Sequence, residues 1–259
     1  MSTIVPVSQD RHAGLRWKRP ASYAFAARQT VAPLVAAELP KAVLMYPISF
    51  IEQEEKLIPV ALLGVHAERN LFVAADGRWL APYIPVIFRT QPFCLGKTED
   101  GQQILCINEE QGLAHDGAGE DFFANNQPTE AVAEVMHLLT QTEQNRLQTI
   151  AACTELLKYG VVHPWPITLK TGTEEKQITG LLKIDEAALN ALDEDAFLAL
   201  RRAGSLPIAY CQLVSMQHIA QLGKLAAAHE LAAQHKPAPS QAAPIQLNTD
   251  NDMLSFDNL

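Results

Sequence analysis

The hydrophobic period of this chain changes near Thr129, and that change limits its fold more than any single motif. Before it, short apolar runs alternate with turn signals. "YPISFIE", Tyr46 to Glu52, and "LIPVALLGV", Leu57 to Val65, flank the charged "QEEK" as two strands of a hairpin. "NLFVAADGRWL" offers a second hairpin, in which Asp76-Gly77 supplies the positive φ that a tight type I′ turn demands. "TIVPVS", "YAFAA" and "QQILCINE" read as further strands. "VAPLVAAELPKAV" reads as a short helix stopped at Pro40, and "GLAHDGAGED" as a polar, glycine-rich connection.

After Thr129 the period is helical. From Thr129 to Tyr159, Val132, Val135, Met136, Leu139, Leu147, Ile150, Leu156 and Leu157 recur largely at three- and four-residue steps, and Gly160 stands where a C′ glycine belongs. "HPWPITLK" and "KQITGLLKI" predict strands joined at "TGTEE". "DEAALNALDEDAFLALRRAG" predicts two short helices whose acidic starts suit positive helix N-termini, and Leu206 to His235 predicts one long helix. The expected architecture is a single α+β domain over residues 1–235, with a predominantly antiparallel sheet from the N-terminal half and C-terminal helices packed on it. From Lys236 the Pro, Ala, Gln and Asn content predicts a flexible tail, residues 236–259, whose apolar end, Met253 to Leu259, is a candidate docking segment for a partner.

Composition narrows the functional classes. With a formal charge of −9 over 259 residues, generic attraction to phosphate backbones has the wrong sign, so nucleic acid is not an expected partner. The longest apolar runs fall far short of the ~20 residues that span a bilayer, so no membrane insertion is expected. "MSTIVPVSQDRHAGLRW" lacks the basic start and apolar run of a secretion signal. Cys94, Cys106, Cys153 and Cys211 are dispersed among apolar neighbours, the pattern of buried reduced thiols, and a soluble protein of a bacterial-type cytoplasm is the expectation.

Familiar chemistries fail locally. "CLGKTED" ends like a phosphate loop, but Gln91 replaces the glycine five positions before Gly96. Phe122 occupies the third glycine position of a dinucleotide fingerprint after "GAGED", so no cofactor is expected. No G-x-S-x-G or H-E-x-x-H occurs. His66 and Glu68 have the His-x-acid spacing that begins a non-haem iron site, with His115, His137 or His163 as third ligand, although "GVHAERN" reads more simply as a polar turn. Asp116, Glu120 and Asp121 offer oxygens to a hard cation without the alternation of an EF-hand.

Two groups of residues remain as candidate ligand sites. Arg78, Trp79, Tyr83 and Arg89 combine aromatic faces with guanidinium donors that suit an anionic or carboxylate-bearing ligand, and His163 with Trp165 form a second pair held extended by Pro164 and Pro166. The structural alternative for each tryptophan is a core indole. Two classes therefore stay open: a non-catalytic binding or accessory protein, and an enzyme of unrecognised type, least implausibly a metal enzyme built on His66 and Glu68.

The ordered segments "PLVAAELPKAVLMYPISF", "PVALLG", "NLFVAADGRWLAPYIPVIFR", "PWPITL", "TGLLKIDEAALNAL" and "LALRRAGSLPIAYCQLVSMQHIAQL" resemble the bacterial SapC-like family over nearly the whole chain to about Ala233. The family name implies a link to surface layers. Some members carry a peptide-permease label, which implies spanning helices that this sequence does not contain. The usual gene surroundings of the family, flavin-dependent halogenase-like and outer-membrane receptor genes, imply an accessory role in nutrient uptake or modification, with a halogenase-like protein as partner. The resemblance transfers no catalytic role to Asp76, Arg78 or Trp79, and homo-oligomerisation is left open.

Overall fold

The computed structural model describes residues 4–64, 69–115, 117–171 and 174–234. Strand β1 (Ile4–Pro6) and the helical turn α1 (Gln9–His12) lead to β2 (Arg16–Trp17). The next segment, Tyr23 to Ala27, was expected to be a strand but forms a 3-10 turn over Ala24–Ala26. Its alanines lack the branched bulk that favours a pleated strand, and Asn70 Nδ2 donates to the Ala26 carbonyl at 3.1 Å.

Strand β3 (Val31–Pro33) precedes a 3-10 turn at Ala36–Glu38 and the helical turn α2 (Leu39–Ala42). Pro40 therefore lies in the first turn of a helix and does not end one; there its missing N–H leaves no hydrogen bond unmade. Strands β4 (Ile48–Gln53) and β5 (Lys56–Leu62) form the expected hairpin, with Gln53 opposite Lys56. The two intervening residues, Glu54 and Glu55, have φ of 49° and 60°, so the type I′ turn falls here.

Asp76-Gly77 makes a different turn from the one expected. Only Gly77 has a positive φ, 82°; its N–H donates to the Ala74 carbonyl at 2.9 Å, and Ala74 N–H donates to Arg78 O at 2.8 Å. This is a three-residue loop with a glycine bulge, closed by the lone bridge Val73 to Trp79.

Helical turn α3 (Val86–Arg89) leads into β6 (Phe93–Lys97), β7 (Gln103–Asn108) and α4 (Glu109–Gly112). The glycine-rich connection contributes β8 (Glu120–Asp121), and the small hairpin of β9 (Phe123–Ala124) and β10 (Gln127–Pro128) follows. Helix α5 (Glu130–Lys158) then runs for 29 residues, capped by the Thr129 hydroxyl and followed by Gly160 at φ 66°. Strands β11 (Val162–Pro164) and β14 (Leu182–Ile184) pair with each other, and β12 (Ile167–Thr171) pairs with β13 (Glu174–Ile178) between them. Asp185 and Asp193 cap α6 (Glu186–Asn190) and α7 (Glu194–Arg202).

The long C-terminal helix is interrupted. It divides into α8 (Ser205–Ser215), a 3-10 turn at Met216–His218, and α9 (Ile219–Gln234). Tertiary contacts hold the break: Ser215 Oγ accepts from Ile48 N–H at 2.9 Å, and the His218 ring meets the Val43 carbonyl at 2.9 Å. The tail from Lys236, with Met253 to Leu259, lies outside the described residues.

Every named strand pairing is antiparallel, and the class is α+β with C-terminal helices, as the change of period predicts. One sheet has the order β11-β14-β4-β5-β3 and another β1-β7-β6. The larger apolar cluster joins Ile48, Phe50 and Val60 of the first sheet to Leu156 of α5 and Ile208 of α8. A smaller one gathers Trp17, Phe93, Ile107 and Phe122 against Val132, Val135 and Leu139. Helix α5 serves both, its N-terminal half in one and its C-terminal half in the other. Among the described residues no helix is long and apolar enough to cross a membrane.

Candidate functional site

Between α5, the β3 and β5 edge of the large sheet and α3 lies a cavity of about 270 Å³. Leu34 and Ile58 form its sheet side, Ile87 and Thr90 its α3 side, and Leu139 and Ile150 its α5 side. The polar groups at its margin are already engaged. Thr142 Oγ donates to Leu138 O at 2.8 Å, and Thr149 Oγ donates to Asn145 O at 2.6 Å while accepting from Ala36 N–H at 2.8 Å. Arg146 pairs with Glu143 at 2.6 Å. The interior is consequently an apolar surface with little to offer a polar ligand.

Glu38 closes one end of this cavity and is only 5% exposed. Its carboxylate accepts from Tyr83 Oη at 2.6 Å, Val86 N–H at 2.7 Å and Val35 N–H at 3.1 Å. One side chain thus ties together the 3-10 turn on which it sits, the start of α3 and Tyr83. The tie continues through the Tyr46 hydroxyl, which donates to the Tyr83 carbonyl and accepts from Trp79 Nε1 at 2.9 Å. Burial, then the hydrogen bond to Glu38 and that carboxylate's charge, holds the Tyr83 phenol well above its ordinary range; burial does the same to Tyr46. Both hydroxyls therefore act as neutral donors.

The candidates separate in space and role. Trp79 is half-buried in an aromatic cluster, with Tyr23 at 5.6 Å and Phe88 at 5.2 Å between ring centroids, and its role is packing plus its bond to Tyr46. Arg78 leaves the group: it is exposed and pairs with Asp76 at 2.6 Å, an exchange that lowers the Asp76 carboxyl and raises the guanidinium. Tyr83 and Arg89 stay together, the guanidinium standing 5.6 Å from the ring centroid.

His163 and Trp165 belong to the opposite edge of the large sheet, on and after β11. The His163 ring faces Asp185 at 3.2 Å and the Gly160 carbonyl at 3.2 Å. Trp165 packs on the larger cluster, so this pair does not join the cavity.

A second cavity, about 200 Å³, adjoins the first along α5. Arg19, Arg89, Gln91, Glu134 and Trp17 line it, and Thr90 lines both cavities. The Trp17 indole N–H is buried and finds no acceptor among the described residues. Of this surface, Arg89 is visible in the sequence as a candidate, whereas Arg19, Glu38 and the apolar walls are not. A glutamate inside the apolar run "PLVAAELP" was the available signal for Glu38, because a lone charge amid core residues needs buried donors.

Of the metal candidates, His66, Glu68 and Asp116 lie outside the described residues, and Asp121 is paired with Arg16 at 2.8 Å. Among the described residues no three potential ligands gather. The four cysteines are free; burial pushes the Cys153 thiol up to about 12.

No curated protein and no solved structure matches the chain. A family model described as SapC matches residues 7–222, nearly the whole chain, and the protein belongs to the SapC family.

Proposed function

We propose that this protein is a non-catalytic binding protein for a small molecule with an apolar body, which it holds between α5 and the large sheet. The observation that supports this reading most is the apolar cavity of about 270 Å³, whose marginal polar groups are saturated by the protein itself. A reaction site needs polar groups free to act on a substrate; a binding site of this kind needs shape and dryness. An accessory role beside a modifying enzyme, such as the halogenase-like partner implied by family association, fits a protein that carries or presents a ligand without changing it.

Titration with the uncharged dye N-phenyl-1-naphthylamine tests the reading. The protein is expected to enhance its fluorescence saturably with one site per chain. Ile87→Trp and Ile150→Trp, on two different walls, are each expected to weaken that binding at least about tenfold with little change in thermal unfolding, because an added indole fills the space. Absent binding, or full binding in both variants, would overturn the proposal.

A further inference from the structure

The two cavities share a wall and differ in chemistry. Thr90 lines both, and the neighbouring residues Leu138 and Leu139 of α5 line the basic and the apolar one respectively. Arg19 and Arg89 both line the basic cavity, and among the described residues neither has a carboxylate partner, in a chain whose formal charge is −9. Glu134 is the one acidic side chain in that lining, on the exposed face of α5, leaving two guanidinium groups against one carboxylate. Trp17, fully buried, adds a wall, and its indole N–H lacks an acceptor among the described residues.

We propose that the two cavities are halves of one site for a small amphiphilic carboxylate, its apolar body between α5 and the sheet and its carboxylate held between Arg19 and Arg89. This rests on the binding reading above and names the ligand class. Guanidinium groups suit a carboxylate because their N–H donors match its two oxygens, and a bond between charged partners is stronger than a neutral one. The volumes, about 270 and 200 Å³, lie at the small end of ligand sites and suit a body on the order of ten non-hydrogen atoms. Arg89 has a further link: it stands over Tyr83, whose hydroxyl is bonded to Glu38 in the lining of the apolar cavity, so the carboxylate grip and the apolar wall share one connected set of side chains.

Calorimetric titration of the full chain with octanoate and with 1-octanol separates the claims. In low salt octanoate is expected to bind at least about tenfold more tightly than octanol, with the ratio falling as salt is raised. In R19Q/R89Q the ratio should collapse towards one, because the charge that favours the carboxylate is gone. R19Q alone, which disturbs no stacked contact, should lose part of it. Equal affinities in the wild-type protein, or a preference that survives R19Q/R89Q, would overturn the carboxylate assignment and leave the cavity reading standing. Failure of both ligands to bind, or binding unaffected by Ile150→Trp, would overturn both.

Discussion

Glu38, in the lining of the apolar cavity, ties the segments around it together. Three donors converge on its carboxylate, two of them the backbone N–H groups of Val35 and Val86 at the starts of their helical turns. Removing the acceptor strands all three in a buried place, each at a cost of about 1–3 kcal/mol. Glu38→Ala is therefore expected to destabilise the fold by about 3–5 kcal/mol, measured by urea denaturation. Glu38→Gln should cost roughly half as much, since its carbonyl oxygen still accepts while its NH₂ group meets a backbone donor. Equal and small losses in both variants would show that Glu38 is not the anchor. Arg89 and Arg19 bring positive charge to the lining of the second cavity, and Arg89 also stands over the Tyr83 ring.

At the scale of elements, the loop around Gly77 shows what turn chemistry controls. Its φ of 82° and a Cβ position that would lie 2.7 Å from Ser22 Cβ exclude a side chain, and its carbonyl accepts from Tyr23 N–H at 2.7 Å. Gly77→Ala should cost about 2–3 kcal/mol in denaturant unfolding, more than the ~1–2 kcal/mol of a left-handed alanine alone, because the 3-10 turn at Ala24–Ala26 must also shift. A loss below about 1 kcal/mol would contradict the packing of that loop against Ser22.

The β4–β5 hairpin, α5 with its Thr129 cap and Gly160 stop, and the caps Asp185 and Asp193 were legible because periodicity and termini carry them. Other features depend on residues far away in sequence. The break at Met216–His218 depends on Ile48 and Val43, and β1 finds its partner across the chain, Ile4 opposite Asn108. The type I′ turn at Glu54-Glu55 was hidden because a two-residue strand connection, and not residue preference, imposes it.

For the molecule as a whole, α5 is the organising element. Its Val132, Val135 and Leu139 pack in the smaller cluster, its Cys153 and Leu156 in the larger, and between them it faces both cavities. Thr149 and Asn145 on its flank hold Ala36 and Ala37 N–H groups, which fixes the helix against the turn that carries Glu38. The candidate site was only partly legible for that reason: Arg89 and Tyr83 were visible as residue types, whereas Arg19, Leu34, Ile58 and Ile150 become neighbours only when one long helix is laid across two sheets. The most direct test of the account is a crystal structure of the protein with 8-bromooctanoate, with bromine located by its anomalous scattering. One bromine is expected within about 4 Å of Leu34, Ile58 or Ile150, with the carboxylate between Arg19 and Arg89. Bromine elsewhere, or a chain lying with its carboxylate in the apolar cavity, would contradict it.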